Sequence, residues 1–137
     1  MKKFLLLISG IAILSSCDIT IIDEGPFDPR DIYLGRYEVE EYSETYDVIT
    51  RYRMRVLKDA DPYSNVIYLR NFYAVDIEVF AEIIDERINI PRQVAGGYIV
   101  QGTGRYEYGD VRLSYSVEDG LSEIGVADFC NTVLFRD

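Results

Sequence analysis

From Tyr33 onward, apolar and polar side chains alternate with a period of two. The clearest stretch is Asp47 to Leu57. There Val48, Thr50, Tyr52, Met54 and Val56 fall on one face, and Arg51, Arg53 and Arg55 on the other. A strand with one buried and one wet face reads this way, whereas a helix would mix the two sets. Similar runs occupy 35–43, 65–72, 75–84, 87–90, 97–104, 110–117 and 124–135. Turn chemistry separates them: Lys58-Asp59-Ala60-Asp61-Pro62-Tyr63-Ser64, Asp85-Glu86, Ala95-Gly96-Gly97, Tyr108-Gly109-Asp110 and Glu118-Asp119-Gly120. No segment shows a convincing amphipathic helix, and no long repeat recurs. The pattern predicts an all-β domain of eight short antiparallel strands. Closing them into an up-and-down barrel removes the exposed edges, and eight strands leave an interior that side chains just fill. A two-sheet sandwich is the runner-up, because periodicity alone does not separate the two.

The first residues obey a different rule. Lys2 and Lys3 precede an apolar run, Phe4 to Leu14, of 11 residues. As a helix that run spans roughly 16 Å, about half a hydrocarbon core, which suits a signal peptide and not a transmembrane span. The junction Leu14-Ser15-Ser16-Cys17 resembles the bacterial lipobox. Small side chains admit the extended backbone to the signal peptidase, and the thiol takes the diacylglycerol. The expectation is a leader over 1–16, an acylated (palmitate-bearing) Cys17 with a tether over 17–32, and the barrel over 33–137. Asp18 to Arg30 carries two prolines and a glycine with no helical period, which fits the tether. The partner implied first is therefore a membrane, reached through lipid, with the outer membrane of a Gram-negative envelope as the expected address.

Composition narrows the chemistry. Among 137 residues, 24 are acidic and 14 basic, for a formal charge of −10, with no histidine and no tryptophan. Lacking imidazole, the chain has no Ser-His-Asp or Cys-His mechanism and no histidine-based zinc site. The acidic balance argues against nucleic acid, which is bound through Lys and Arg. Asp59 to Asn65 places oxygen ligands at alternate positions, yet Tyr63 and Ser64 stand where a calcium loop wants Asp and Gly, so a plain Asp-Pro turn is the better reading. The arginines at 51, 53 and 55 are expected to pair with Glu38 and Glu40 on the neighbouring strand. Those carboxylates, with Glu78 and Glu82, belong to solvated outer faces.

Tyrosines are the remaining candidates. Tyr52, Tyr98 and Tyr115 fall on inward faces, and Tyr68 is expected to join them near one end. Their rings either line a small mouth for an apolar or aromatic ligand, or simply fill the core. The small domain favours filling. Cys130 would be the sole thiol of the processed chain, expected to be buried as a small hydrophobe.

Several local patterns occur in order: Asn71-Phe72, Ile88-Asn89-Ile90-Pro91-Arg92-Gln93, Gly102-Thr103-Gly104, Leu113-Ser114-Tyr115-Ser116-Val117 and Asp128-Phe129-Cys130. From about Leu34 to Phe135 the chain thereby resembles the lipocalin-like, or calycin-like, small lipoproteins of Gram-negative bacteria. The resemblance implies a barrel, a lipid anchor and usually no catalytic activity. Read on their own, the same residues are folding instructions. Pro91 should end its strand, Gln93 should satisfy loose backbone groups, and Gly102 and Gly104 should permit strong coiling.

The reading is of a non-enzymatic, lipid-anchored binding domain with no cofactor, holding a small apolar ligand or a peptide at one barrel end. The alternative is an accessory or inhibitor lipoprotein that docks on another envelope or host protein, such as a basic hydrolase like lysozyme. Exposed turn residues Tyr63, Tyr73, Tyr106, Tyr108 and Arg105 would then form the interface. No acid, base and nucleophile gather in one place for an enzyme.

Overall fold

A computed structural model describes residues 27–137; the expected leader, Cys17 and most of the expected tether lie outside the described residues. Eight strands follow a single 3-10 turn at Asp31–Tyr33: β1 (Gly35–Ser43), β2 (Val48–Lys58), β3 (Val66–Phe72), β4 (Ile77–Ile84), β5 (Arg87–Ala95), β6 (Tyr98–Glu107), β7 (Asp110–Asp119) and β8 (Ala127–Arg136). Each pairs antiparallel with the next, and β8 returns to β1, so the sheet is a closed barrel in up-and-down order. This architecture is consistent with a lipocalin-like fold. The closing seam matches Tyr37 to Ser43 with Arg136 to Cys130, which rules out the sandwich.

Alternation builds the core. Tyr37 and Val39 on β1, Met54 and Val56 on β2, Leu113 and Tyr115 on β7, and Leu134 on β8 all point inward and are buried. Outside, Arg51 meets Glu40 and Arg53 meets Glu38, each at 3.3 Å, as cross-strand pairing required. Val48 and Thr50 share the inward phase of β2 but are exposed, because β2 extends past the end of the core.

Two bulges change the phase of the strands. One lies between Arg70 and Phe72, where Asn71 adopts φ +66°. The other lies between Ile90 and Gln93. Pro91 does not end β5, which runs on to Ala95. Proline cannot donate to a ladder, and backbone pairing of β4 with β5 is limited to Glu82–Ile84 against Arg87–Asn89. Gln93 bridges the gap with its side-chain amide. Its Oε1 accepts from the Phe80 N–H at 3.0 Å, while Nε2 donates to the Phe80 carbonyl at 2.9 Å.

Gly102 and Gly104 stand on the inner face of β6. A Cβ at either would collide with β7, lying 2.7 Å from Tyr115 Cα in one case and 2.7 Å from the Arg112 carbonyl in the other. The glycine pair thus lets β6 sink against β7.

The end where the chain enters is plugged. Arg30 is fully buried, with its guanidinium on Asp28 at 2.8 Å and on the carbonyls of Asp59, Asp61 and Val66. That guanidinium holds the Asp28 carboxyl well below the usual carboxylate range. Tyr33 donates to the Glu86 carbonyl, and Tyr37 to the Tyr33 carbonyl. Arg136 covers the Tyr37 ring at 5.2 Å from its centroid. The domain therefore begins before the boundary at residue 33 read from the sequence. Asp28 and Arg30 belong to the barrel and not to a tether.

Candidate functional site

The opposite end is built differently. Its loops join β1 to β2 (44–47), β3 to β4 (73–76), β5 to β6 (96–97) and β7 to β8 (120–126). They contain Glu44, Asp47, Asp76 and Glu123 and no Lys or Arg. The tight link at 96–97 needs glycine, with φ of +56° and +88°. Apolar side chains crown the rim. Leu121 is 89% and Ile124 82% exposed, with Tyr46, Val126 and Phe129 about half exposed or more. Large apolar groups in water on one contiguous end are the usual mark of an interaction surface.

Below the rim lies a buried polar cluster that the sequence reading did not single out. Glu41 and Ser43 on β1, and Asp128 and Thr132 on β8, all face inward and are buried. Ser43 and Tyr73 donate to the two oxygens of Asp128, each at 2.5 Å. Tyr52 donates to Glu41 at 2.8 Å, and its oxygen is 3.4 Å from the Tyr115 hydroxyl. Burial raises the Glu41 pKa to about 7, against the opposing pull of the Tyr52 hydrogen bond. Thr132, the cross-strand partner of Glu41, buries its hydroxyl beside that carboxyl. The signal for this cluster was present in the sequence. Once Tyr37 and Val39 are inward, Glu41 and Ser43 must be inward too.

Three of the four predicted tyrosines converge here. Tyr115 is buried and packs on Phe72 with ring centroids 4.4 Å apart. Tyr52 is half-buried against the core and tied to Glu41. Tyr98 lies edge-on to Tyr73 at 6.0 Å, so the two rings roof the cluster. Tyr68 does not join them. Ile67 and Leu69 point inward, so Tyr68 faces out, with its hydroxyl 3.4 Å from Asp59. Tyr73 is likewise not the exposed turn residue expected, because it is half-buried as part of the roof. Tyr63, Arg105, Tyr106 and Tyr108 sit at or near the plugged end, away from the rim.

The chemistry available inside is limited. Cys130 is buried, and burial, with the Glu41 and Asp128 charges beside it, pushes the thiol far up, so it stays protonated at neutral pH. Burial likewise pushes the Tyr52 and Tyr73 hydroxyls far up, leaving them as donors. Among the described residues, no group of three or more His, Cys, Asp or Glu side chains could hold a metal ion. Two concavities, of about 1100 and 270 Å³, are lined chiefly by outward side chains on the wall of the barrel. No family model, curated protein or solved structure matches the chain.

Proposed function

We propose that this protein is a non-enzymatic, lipid-anchored binding module that docks on a strongly basic protein through the open rim of its barrel. One observation carries the reading: the four rim loops combine exposed Leu121, Ile124, Val126 and Tyr46 with four acids and no base. Apolar anchors supply affinity when they enter a partner's pockets, and the one-signed loops steer a cationic surface toward them. The net charge of −10 adds to that steering. A small apolar ligand held inside fits less well. The inward side chains from Tyr37 to Tyr115 are packed against one another, and the mouth tyrosines already hold Glu41 and Asp128.

The lipobox at Leu14–Cys17 supports an anchor at the N-terminal side. The chain enters the barrel at its plugged end, so an anchor there leaves the rim facing away from the bilayer. A cationic lysozyme is the concrete probe. The full chain in detergent should bind it at low salt and weaken as salt rises. Leu121→Ser with Ile124→Ser, which removes the apolar anchors at unchanged charge, should cost about tenfold or more in affinity, since buried apolar anchors are commonly worth over 1 kcal/mol each. Binding that ignores both salt and the rim variants would refute the reading.

A further inference from the structure

The wall of the barrel carries a second feature, whose β8–β1 end adjoins the rim through the Asn131–Glu44 and Tyr42–Asp47 hydrogen bonds. A groove of about 1100 Å³ crosses the outer face from the β4–β5 turn over β6, β7 and β8 to β1. Its volume exceeds the usual range of small-molecule sites, which suits a ligand of several units.

Two rows of side chains cross this groove at right angles to the strands. In one, Arg87, Arg105 and Arg112 are directly opposite one another on β5, β6 and β7. In the other, Asn89, Thr103, Ser114 and Asn131 are neighbours on β5 through β8, and Tyr42 on β1 ends the row. Three like charges in direct cross-strand register oppose each other. The compensation within the fold is partial. Glu107 takes Arg105 at 2.6 Å and reaches Arg112 only at 3.9 Å, while Arg87 makes no ion pair among the described residues. In a chain of net charge −10, this is a row of three guanidinium groups sharing the single carboxylate of Glu107.

We infer that the groove binds an acidic polysaccharide. Guanidinium only donates and grips a carboxylate in bidentate fashion, so the arginine row calls for acidic groups spaced along an extended ligand. The second row both donates and accepts, as sugar hydroxyls require. Asn89 and Thr103 make no side-chain hydrogen bond with other described residues, so both are available to a ligand. Asp85 and Glu40 also line the groove. Glu40 is engaged by Arg51, and the Asp85 carboxylate at one end of the groove can accept from a sugar hydroxyl. The exposed part of the Tyr42 ring offers a flat face for the apolar side of a sugar.

Isothermal titration of the full chain in detergent tests this, with a polygalacturonate oligomer as ligand and a neutral maltooligosaccharide and inorganic phosphate as comparators. The acidic oligomer should bind, and the neutral one should bind at least about tenfold more weakly. Arg87→Gln with Arg112→Gln should lower affinity about tenfold or more, given the worth of charge-assisted hydrogen bonds. Thr103→Phe should block the groove at unchanged charge, whereas Leu121→Asp at the rim should leave binding intact. A readout on the unmutated protein is protection from phenylglyoxal: the oligomer should shield Arg87 and Arg112 but not the exposed Arg36 and Arg92. The proposal is overturned by no binding of the acidic oligomer, by equal binding of the neutral one or of phosphate, by undiminished affinity in the arginine variant, or by absent or uniform arginine protection.

Discussion

Glu41 is the residue with the largest consequence for how this protein responds to its surroundings. Its carboxyl titrates near pH 7 in the folded barrel, against an ordinary value of 4.5, because burial disfavours its charge. Between those values the folded state holds a proton that the unfolded chain releases. Stability must therefore fall as pH rises through that window, and it stays lower above it. The expected loss is about 2–3 kcal/mol between pH 5 and pH 8. Glu41→Gln keeps the shape and an acceptor for the Tyr52 hydroxyl, so it should flatten the profile and stabilise the protein at pH 8. Urea unfolding at the two pH values measures this, and an unchanged slope in the variant would exclude Glu41 as the cause.

At this same scale, Tyr68 shows where the sequence misled. Phe72 is inward, and counting back by twos places Arg70 and Tyr68 inward as well. The bulge at Asn71 inserts one residue and inverts that phase. Nothing in Leu69-Arg70-Asn71-Phe72 announces the bulge except asparagine's tolerance of positive φ.

Elements were read more securely than residues. All eight strands and the outward pairing of Arg51 and Arg53 with Glu40 and Glu38 followed from alternation, and the turn at 96–97 from its glycines. Arg55, expected to pair likewise, stands opposite Arg36 and Arg70 without an ion pair among the described residues. The end of β5 did not, because a side chain replaces the missing backbone donor across Pro91. Local pattern cannot show a bond between residues 80 and 93.

The glycine pair on β6 has a sharp test. Gly102→Ala places a methyl against the backbone of Tyr115 and Ser114, atoms that cannot move aside singly. The substitution should destabilise by about 2 kcal/mol or more, read from the denaturant midpoint.

The plug gives a second element-scale prediction. Arg30→Ala would strand the Asp28 carboxylate and the carbonyls of Asp59, Asp61 and Val66, at a cost of about 3 kcal/mol. Limited proteolysis should then cut first between Asp59 and Asn65. Arg30 escaped the sequence reading because it lies among prolines and acids that look like linker, and the carbonyls it binds are some 30 residues away.

As a whole molecule the barrel has two unlike ends. One end is sealed by Arg30, Tyr33, Tyr37 and Arg136 and receives the incoming chain. The other bears acids and apolar side chains over a hydrogen-bonded floor of Glu41 and Asp128. The contrast between the ends was not visible beforehand, because it depends on which turns share an end. Closure into an up-and-down barrel decides that, since alternate connections gather on the same side.

The most direct test of rim docking is an amide hydrogen-exchange footprint of the full chain with and without a bound cationic lysozyme. The account predicts new protection in the loops at 44–47, 73–76 and 120–126, with the 59–65 loop and the Tyr108–Gly109 turn unchanged. Protection confined to the plugged end, or spread through the inward strands without the rim, would contradict it.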